Sequence, residues 1–177
     1  MTIITRVWEM PNKNTFDIRS IRQLIYKYHD TKMLSIDPFA NKSQIASFTN
    51  DLSDEFNTEY HLDAMDFLNL FKDREVDFVF YDPPYSPRQV SECYNQVGRS
   101  VTMKDTQSTW RSSHLDKISS IIKPGGILMS FGWNSNGAGI NRGFQMIEIL
   151  LVAHGGSHND TICVVERKHE VYQTTLL

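Results

Sequence analysis

Residues 76–85 read Val76-Asp77-Phe78-Val79-Phe80-Tyr81-Asp82-Pro83-Pro84-Tyr85. The first six predict a buried strand, because β-branched and aromatic residues are favoured in strands. Asp82-Pro83-Pro84 ends that strand, because proline cannot donate to the hydrogen-bond ladder of a central strand. The stretch therefore predicts a stiff acidic loop at the carboxyl end of a buried strand, the edge at which open α/β sheets place their ligands.

Apolar runs on both sides of this strand alternate with segments long enough for helices, which predicts an α/β fold with a mostly parallel sheet. Further strands are predicted at residues 33–36, 49–52, 60–62 and 127–131, and helices at 16–28, 43–48, 63–71 and 115–122. Asn14 or Thr15 is the predicted cap of the first helix. Residues 144–153 and 161–165 are joined by a connector too short for a crossover and predict a terminal antiparallel hairpin.

Length and composition indicate one globular domain over residues 1–177, with 40% hydrophobic and 22% charged residues. No apolar run approaches the roughly 20 residues that span a bilayer, and the start lacks a signal-peptide core. We therefore expect a cytoplasmic protein with no membrane contact. Cys93 and Cys163 are expected to be packed thiols. The polar segment 86–113 predicts either a mobile segment or a helix, and the tail beyond Glu170 is expected to be loosely held.

Charge is unevenly distributed along the chain. The net charge of −3 argues against a protein that coats nucleic acid by bulk attraction. Residues 37–85 hold three basic and eleven acidic side chains, whereas residues 86–123 hold six basic and three acidic ones. All nine glycines lie at or beyond Gly98, so residues 1–97 contain no G-x-G-x-x-G dinucleotide fingerprint.

The loop after the buried strand has chemistry suited to an amino group. Its two prolines stiffen the backbone and leave the carbonyl oxygens of Asp82 and Pro83 free to accept. A carboxylate and a carbonyl together can accept both hydrogens of an exocyclic amine, and Tyr85 offers a face for base stacking. The alternative is a proline turn that closes a strand, with Asp82 bound by nearby amides and Tyr85 merely packed.

Tyr81-Asp82-Pro83-Pro84-Tyr85 resembles the D-P-P-Y loop of the amino-methyltransferases, which use S-adenosyl-L-methionine. The resemblance implies a class I methyltransferase (Rossmann-like) fold and assigns Asp82, Pro83, Pro84 and Tyr85 to catalysis. It implies methyl transfer to the N6 amine of adenine in DNA, because cytosine-specific members more often have serine at the first position. The motif order also resembles small phage and prophage proteins, which implies the cytoplasm of a bacterial host cell.

Residues 37–43 resemble the family's D-P-F-x-G-S-G cofactor loop, which assigns Asp37, Pro38, Phe39 and Asn41 to S-adenosylmethionine binding. Asn41-Lys42-Ser43 stands in place of G-S-G. Asn41 must therefore adopt the left-handed conformation, or the loop takes another path. Lys42 either faces the methionine carboxylate or is simply an exposed lysine.

Three further segments match the family. Asp51 follows the next strand, where the family's carboxylate accepts from the ribose hydroxyls; the alternative is a solvated acidic surface with its neighbours Asp54, Glu55 and Glu59. Asp63 and Ala64 open a D-A-x-x-F-L segment, in which the aspartate accepts from the cofactor's adenine amine; the alternative is a helix cap. Thr15 and Phe16 occupy a position that flanks the methionine end, although Phe16 also fits a helix core.

Candidate substrate contacts lie after the D-P-P-Y loop. Arg88 and Arg111, with Arg99 and Lys104, are placed to neutralise phosphates, unless the segment is a solvated loop. Trp133 follows a sheet strand and is a candidate wall of the base pocket, or a core residue. His154 and His158 flank a glycine pair with no carboxylate or thiol at ligand spacing, which favours a hairpin turn over a metal site.

Two other functions remain open at this point. The enzyme could act on adenine in RNA, or the chain could be a non-catalytic subunit with a methyltransferase fold that binds nucleic acid or a larger partner. The chain has no room for a separate recognition domain, so recognition would come from a homo-oligomer or from a partner subunit.

Overall fold

The computed structural model describes residues 1–100, 102 and 108–169. The sheet contains strands β1 (Ile3–Trp8), β2 (Ser35–Asp37), β3 (Phe48–Thr49), β4 (Val76–Tyr81), β5 (Ile122–Gly132), β6 (Phe144–Ala153) and β7 (Thr161–Lys168). The helices are α1 (Arg19–Tyr28), α2 (Ala64–Leu68), α3 (Pro87–Gln96) and α4 (Ser108–Ile121), with short 3-10 helices at Thr15–Asp17 and Ile140–Arg142. Lys104 and the tail beyond Glu170 lie outside the described residues.

The seven strands form one sheet in the order β1-β6-β7-β5-β4-β2-β3. Neighbouring strands pair in parallel except for β7, which runs antiparallel to both β5 and β6. The predicted class, a mostly parallel Rossmann-like α/β sheet with a terminal antiparallel hairpin, is confirmed. None of the helices in the described part of the chain is long and apolar enough to cross a membrane.

Strand β4 is buried on both faces and separates two core clusters. Phe78 and Phe80 pack with residues of α1 on one face. Val79 and Tyr81 pack with residues of α2 and α4 on the other. Because successive side chains of a strand point to opposite faces, an unbroken apolar run serves both layers. The result is a three-layer arrangement in which β4 ends at the edge where its acidic loop emerges.

The amino-terminal half differs from the sequence prediction in four elements. Strand β1 was not predicted; it lies at the sheet edge with its side chains mostly exposed, so burial leaves no pattern in its sequence. The predicted helix 16–28 breaks at Ile18, which is extended and precedes α1, so neither Asn14 nor Thr15 caps that helix. No helix forms at 43–48, and the predicted strand 60–62 is a single bridge between Tyr60 and Asn50.

The later helices and strands also differ from the sequence prediction in their bounds. Helix α2 stops at Leu68 rather than residue 71. Residues 122–126 lie inside β5, ahead of the predicted strand 127–131, and the β4–β5 register shifts there. Gly126 permits this close approach, because a Cβ would lie 2.9 Å from the Asp77 carbonyl oxygen. The polar segment 86–113 contributes α3 and the start of α4, and Cys93 on α3 is exposed, whereas Cys163 is packed as predicted.

A buried carboxylate holds the loop that follows β5. Glu166 of β7 is fully buried and accepts from the backbone N–H groups of Ala138 and Gly139, at 2.6 and 2.9 Å. Gly137 leaves room for it, since a Cβ there would lie 2.4 Å from Glu166 Oε2. Glu166 therefore fixes the return of the chain from β5 towards β6.

We expect Glu166→Gln to lower the free energy of unfolding by about 1–3 kcal/mol, because an amide has only one oxygen acceptor for the two N–H groups. Denaturant unfolding measures the change. The exposed substitution Glu55→Gln is the matched control and should change stability little. Equal stability of the two variants would show that Glu166 does not anchor the loop.

Candidate functional site

A cavity of about 660 Å³ lies at the carboxyl ends of β2, β3 and β4. Twelve of the sequence-predicted site residues line it: Thr15, Phe16, Pro38, Phe39, Asn41, Asp51, Asp63, Ala64, Asp82, Pro83, Pro84 and Tyr85. Asp37, Arg88, Arg111 and Trp133 are not among its lining residues. The volume is in the usual range of ligand pockets, about 300–1,000 Å³. Residues far apart in sequence thus meet at one edge of the sheet.

The Asp82 carboxyl group lies at the wall of this cavity. The Tyr85 hydroxyl donates to Asp82 Oδ1. Burial raises the pKa of Asp82, while hydrogen bonds from Tyr85 and Thr15 act in the opposite direction. Among the described residues, no donor contacts the Pro83 carbonyl oxygen. The Asp82 carboxyl group and the Pro83 backbone carbonyl therefore both supply acceptors on residues that line the cavity.

The rest of the D-P-P-Y loop is held in place by α3. The backbone N–H of Tyr85 donates to Gln89 Oε1 at 2.7 Å, and Ser86 caps the helix by accepting from the Gln89 N–H. Pro87 occupies the first turn, where a proline removes no helical hydrogen bond. The Tyr85 ring meets the Trp133 ring at 5.4 Å in an edge-on arrangement. Tyr85 is thus fixed by its backbone, its hydroxyl and its ring.

Asp37, the last residue of β2, is buried and does not line the cavity. Its side chain accepts from the Phe39 N–H through Oδ1, whereas Oδ2 is buried with no partner in the described structure. Burial raises its pKa well above the usual range, and the charges of Asp82 and Asp51 add to the effect. Burial therefore favours the protonated form of Asp37 in the folded protein.

The loop without glycines turns at Asn41, which has a φ of 51°, so the predicted left-handed conformation is confirmed. Its N–H donates to Asp51 Oδ2 at 3.0 Å, and Asp51 Oδ1 accepts from the Ser53 N–H. Burial raises the pKa of Asp51. The buried Asn50 side chain bonds both Pro38 and Leu62, which ties this loop to the segment before α2. Hydrogen bonds with the Asp51 and Asn50 side chains therefore hold this loop, which contains no glycine.

Asp63 is both a helix cap and a cross-link. Its Oδ1 accepts from the Met65 N–H, so the capping interpretation is supported by the structure. Its Oδ2 accepts from the Tyr94 hydroxyl and from Arg99, each at 2.8 Å. This contact joins α2 to α3 across the cavity. An adenine amine would have to share Oδ2 with these two donors.

An aromatic cluster forms the wall next to α4. Trp110 packs edge-on against His114 at 4.3 Å, and Phe39 lies within 6.0 Å of Trp110. The Tyr81 hydroxyl pairs with His114 Nδ1 at 3.2 Å. Burial lowers the pKa of His114 to about 4, so the imidazole is neutral at physiological pH. Phe39 and Trp110 line the cavity and give it an aromatic surface suited to a flat apolar group.

The arginines predicted to contact phosphates interact with other residues of the chain instead. Arg88 has a side chain that is 88% exposed and pairs with Glu92 at 2.8 Å. Arg111 lies over the Tyr81 ring at 5.5 Å. Trp133 is 43% exposed and reaches the site only through its contact with Tyr85. His154 is buried, with Nδ1 at 2.8 Å from the Glu9 carbonyl oxygen, in the turn that its sequence favoured.

Sequence reasoning missed lining residues on α1, α3 and α4 and in the segment before α1. Tyr94 and Trp110 lie in the polar segment 86–113, where the signal was the spacing of Val90 and Tyr94 on one helix face. On the opposite side, Lys13, Arg22 and Tyr26 line the cavity from α1 and the residues before it. A helix read only for its core face gives no sign that its polar face borders a cavity.

Several solved structures share this architecture. N-methyltransferase NodS of Bradyrhizobium japonicum WM9 has a TM-score of 0.53 at 10% identity, covering 90% of this chain and all (100%) of that one. The 1,6-didemethyltoxoflavin-N1-methyltransferase of Burkholderia thailandensis, solved with S-adenosylhomocysteine, has a TM-score of 0.53 at 9% identity. The match covers 85% of this chain and 76% of that one. A SAM-dependent methyltransferase of Methanosarcina mazei has a TM-score of 0.51 at 10% identity, covering 82% of this chain and 97% of that one.

The chain therefore has the fold of the class I methyltransferases. Its sequence matches no family model, and a search of curated proteins finds no match.

The raised pKa of Asp37 predicts a pH-dependent difference in stability. Because its pKa is raised in the folded state, Asp37 stabilises the fold at low pH, and this contribution is lost as pH rises above about 4. Relative to Asp37→Asn, the wild type should lose up to about 1.4 kcal/mol of unfolding free energy per pH unit in this range. Denaturant unfolding from pH 4.5 to 7.5 measures both. Parallel profiles would contradict a raised pKa.

Proposed function

We propose that this protein transfers a methyl group from S-adenosyl-L-methionine to the exocyclic N6 amine of adenine in DNA. The observation that carries the proposal is the pair of acceptors at the cavity wall, the Asp82 carboxylate and the free Pro83 carbonyl. They stand beside a separate set of acidic residues that suits a nucleoside cofactor. The class I fold supports the same reaction class.

The cavity residues fit S-adenosylmethionine in chemical type. Asp51 offers a carboxylate for ribose hydroxyls, and Leu52, Leu62 and Val90 offer apolar contact for adenine. Phe16 and Asn41 lie towards α1, the side proposed for the methionine portion. The cofactor would supply an activated methyl group. The solved Burkholderia enzyme with S-adenosylhomocysteine supports this choice.

The chain's own residues would bind and orient the target amine. Asp82 and the Pro83 carbonyl accept its two N–H groups, which directs the nitrogen lone pair away from them. Positioning of this kind is worth several kcal/mol of the barrier. Burial raises the pKa of Asp82, which makes its carboxylate a stronger acceptor for the proton that the amine must lose.

Tyr85 controls access to this acceptor. Its hydroxyl donates to Asp82 Oδ1 in the structure, so an incoming amine either displaces that hydroxyl or binds through Oδ2. Displacement leaves the Tyr85 ring beside Trp133, where an aromatic face is available to an unstacked base. A base in duplex DNA would have to leave the helix to reach it.

Cofactor binding is the first expected outcome. Isothermal calorimetry should detect S-adenosylmethionine and S-adenosylhomocysteine binding to the full chain, and Asp51→Asn should weaken it about tenfold or more, because a charged acceptor for the ribose is lost. Asp54→Asn, at an exposed neighbouring position, is the matched control. Absence of binding would favour the alternative of a non-catalytic subunit.

Asp82→Asn should lower methyl transfer by about 10²-fold or more while leaving cofactor affinity within about twofold, since the change acts on the amine and its proton. Asp66→Asn, exposed on α2, is the control. Mass spectrometry of nucleosides from cells that express each form identifies the product. N6-methyladenine in RNA instead of DNA would replace the proposed substrate, and equal activity of Asp82→Asn would contradict the role of Asp82.

A further inference from the structure

The cavity is electrostatically divided. Three basic side chains line it on the side of α1 and the loop after β2, namely Lys13, Arg22 and Lys42. Asp17 and Asp51 lie among them, with Asp17 paired to Arg22 and Asp51 bonded to the Asn41 N–H, whereas Asp63 and Glu92 lie on the side of α2 and α3. Within the described part of the chain, Lys13 and Lys42 form no ion pair, whereas Asp63 and Glu92 are paired with arginines, so a polyanion is attracted more strongly to the α1 side.

We propose that the nucleic-acid strand flanking the target base crosses the basic side of this mouth, over a surface formed by Lys13, Arg22, Tyr26 and Lys42, rather than over α3. We call this surface the basic rim. The inference rests on the proposed function, because it assigns a path to the proposed substrate.

The charges of the basic rim are available to a ligand. Lys13 and Lys42 are exposed, and neither forms an ion pair within the described part of the chain. Arg22 does pair with Asp17 at 2.7 Å, but both side chains are about half exposed, so the pair costs little to open. Two free cations and one weakly held cation therefore border the mouth.

Tyr26 adds an aromatic group to these charges. It lies on α1 one turn after Arg22, lines the cavity and is 68% exposed. Proteins that bind single strands combine a positive groove with aromatic side chains on which bases stack, worth about 1–3 kcal/mol per base. Tyr26 therefore fits a base next to the methylated one.

The path over α3 is less favourable. Arg88 on this helix does not line the cavity, whereas its partner Glu92 does. Arg99 at the end of this region is bound to Asp63. A phosphate backbone on this side would meet carboxylates at the mouth, so the +3 charge of segment 86–123 does not provide a surface for it at the cavity.

The test measures binding of a fluorescein-labelled, adenine-containing single-stranded DNA to the full chain at several salt concentrations, together with calorimetry for S-adenosylmethionine. Lys13→Gln and Lys42→Gln should each reduce the slope of log K against log salt by about 0.7, the value for one lost phosphate contact to a single strand. Tyr26→Ala should weaken DNA binding about fivefold or more with little change of slope. Lys72→Gln, exposed and outside the cavity lining, is the matched control.

The possible results distinguish a failure of the basic rim from a failure of the proposed methyltransferase function. Unchanged slopes for both lysine variants, or a wild type that binds no DNA, overturn the basic rim. A fall in S-adenosylmethionine affinity with unchanged DNA slopes also overturns it, because the lysines then hold the cofactor carboxylate, yet the proposed methyltransferase survives. Reduced DNA slopes in a protein that binds no cofactor support the rim and count against the methyltransferase itself.

Discussion

Burial of β4 on both faces is the constraint on which the site depends. Phe78 and Phe80 are locked into one core layer, and Val79 and Tyr81 into the other, so the strand can neither slide nor rotate. A one-residue slip would exchange every side chain between the layers. The two prolines then end the strand at a fixed point. The position of the Asp82 carboxylate is thus set by core packing more than by contacts at the cavity.

The difference between buried and exposed strands also explains which elements the sequence could predict. Strand β4 was predicted with its bounds, because an apolar run with a proline stop leaves few alternatives. The terminal hairpin was predicted because His154 to Asp160 is too short for a crossover. Strand β1 was not, since an exposed edge strand such as Ile3–Trp8 has no alternation, and its place beside β6 depends on pairing across more than 140 residues.

Site features were predictable where a local sequence motif determines them. They were not predictable where contacts between distant parts of the chain determine them. The conformation of Asn41 followed from the missing glycines, because few residues besides asparagine tolerate a positive φ. The hydrogen bonds of Asp63 to Tyr94 and Arg99 span more than 30 residues and have no local signal. The pairing of Arg88 with Glu92 follows from their spacing, four positions apart on a helix.

The position of Trp110 gives the protein a built-in optical reporter. One side of its indole packs against the neutral ring of His114, while the residue also borders the cavity. Trp133 contacts Tyr85 at the outer end of the same site, and only Trp8 of the three tryptophans lies away from both. Indole emission depends on the polarity around the ring. Filling the cavity should therefore change the intrinsic fluorescence of the unlabelled chain, so that occupancy can be followed in real time without a dye.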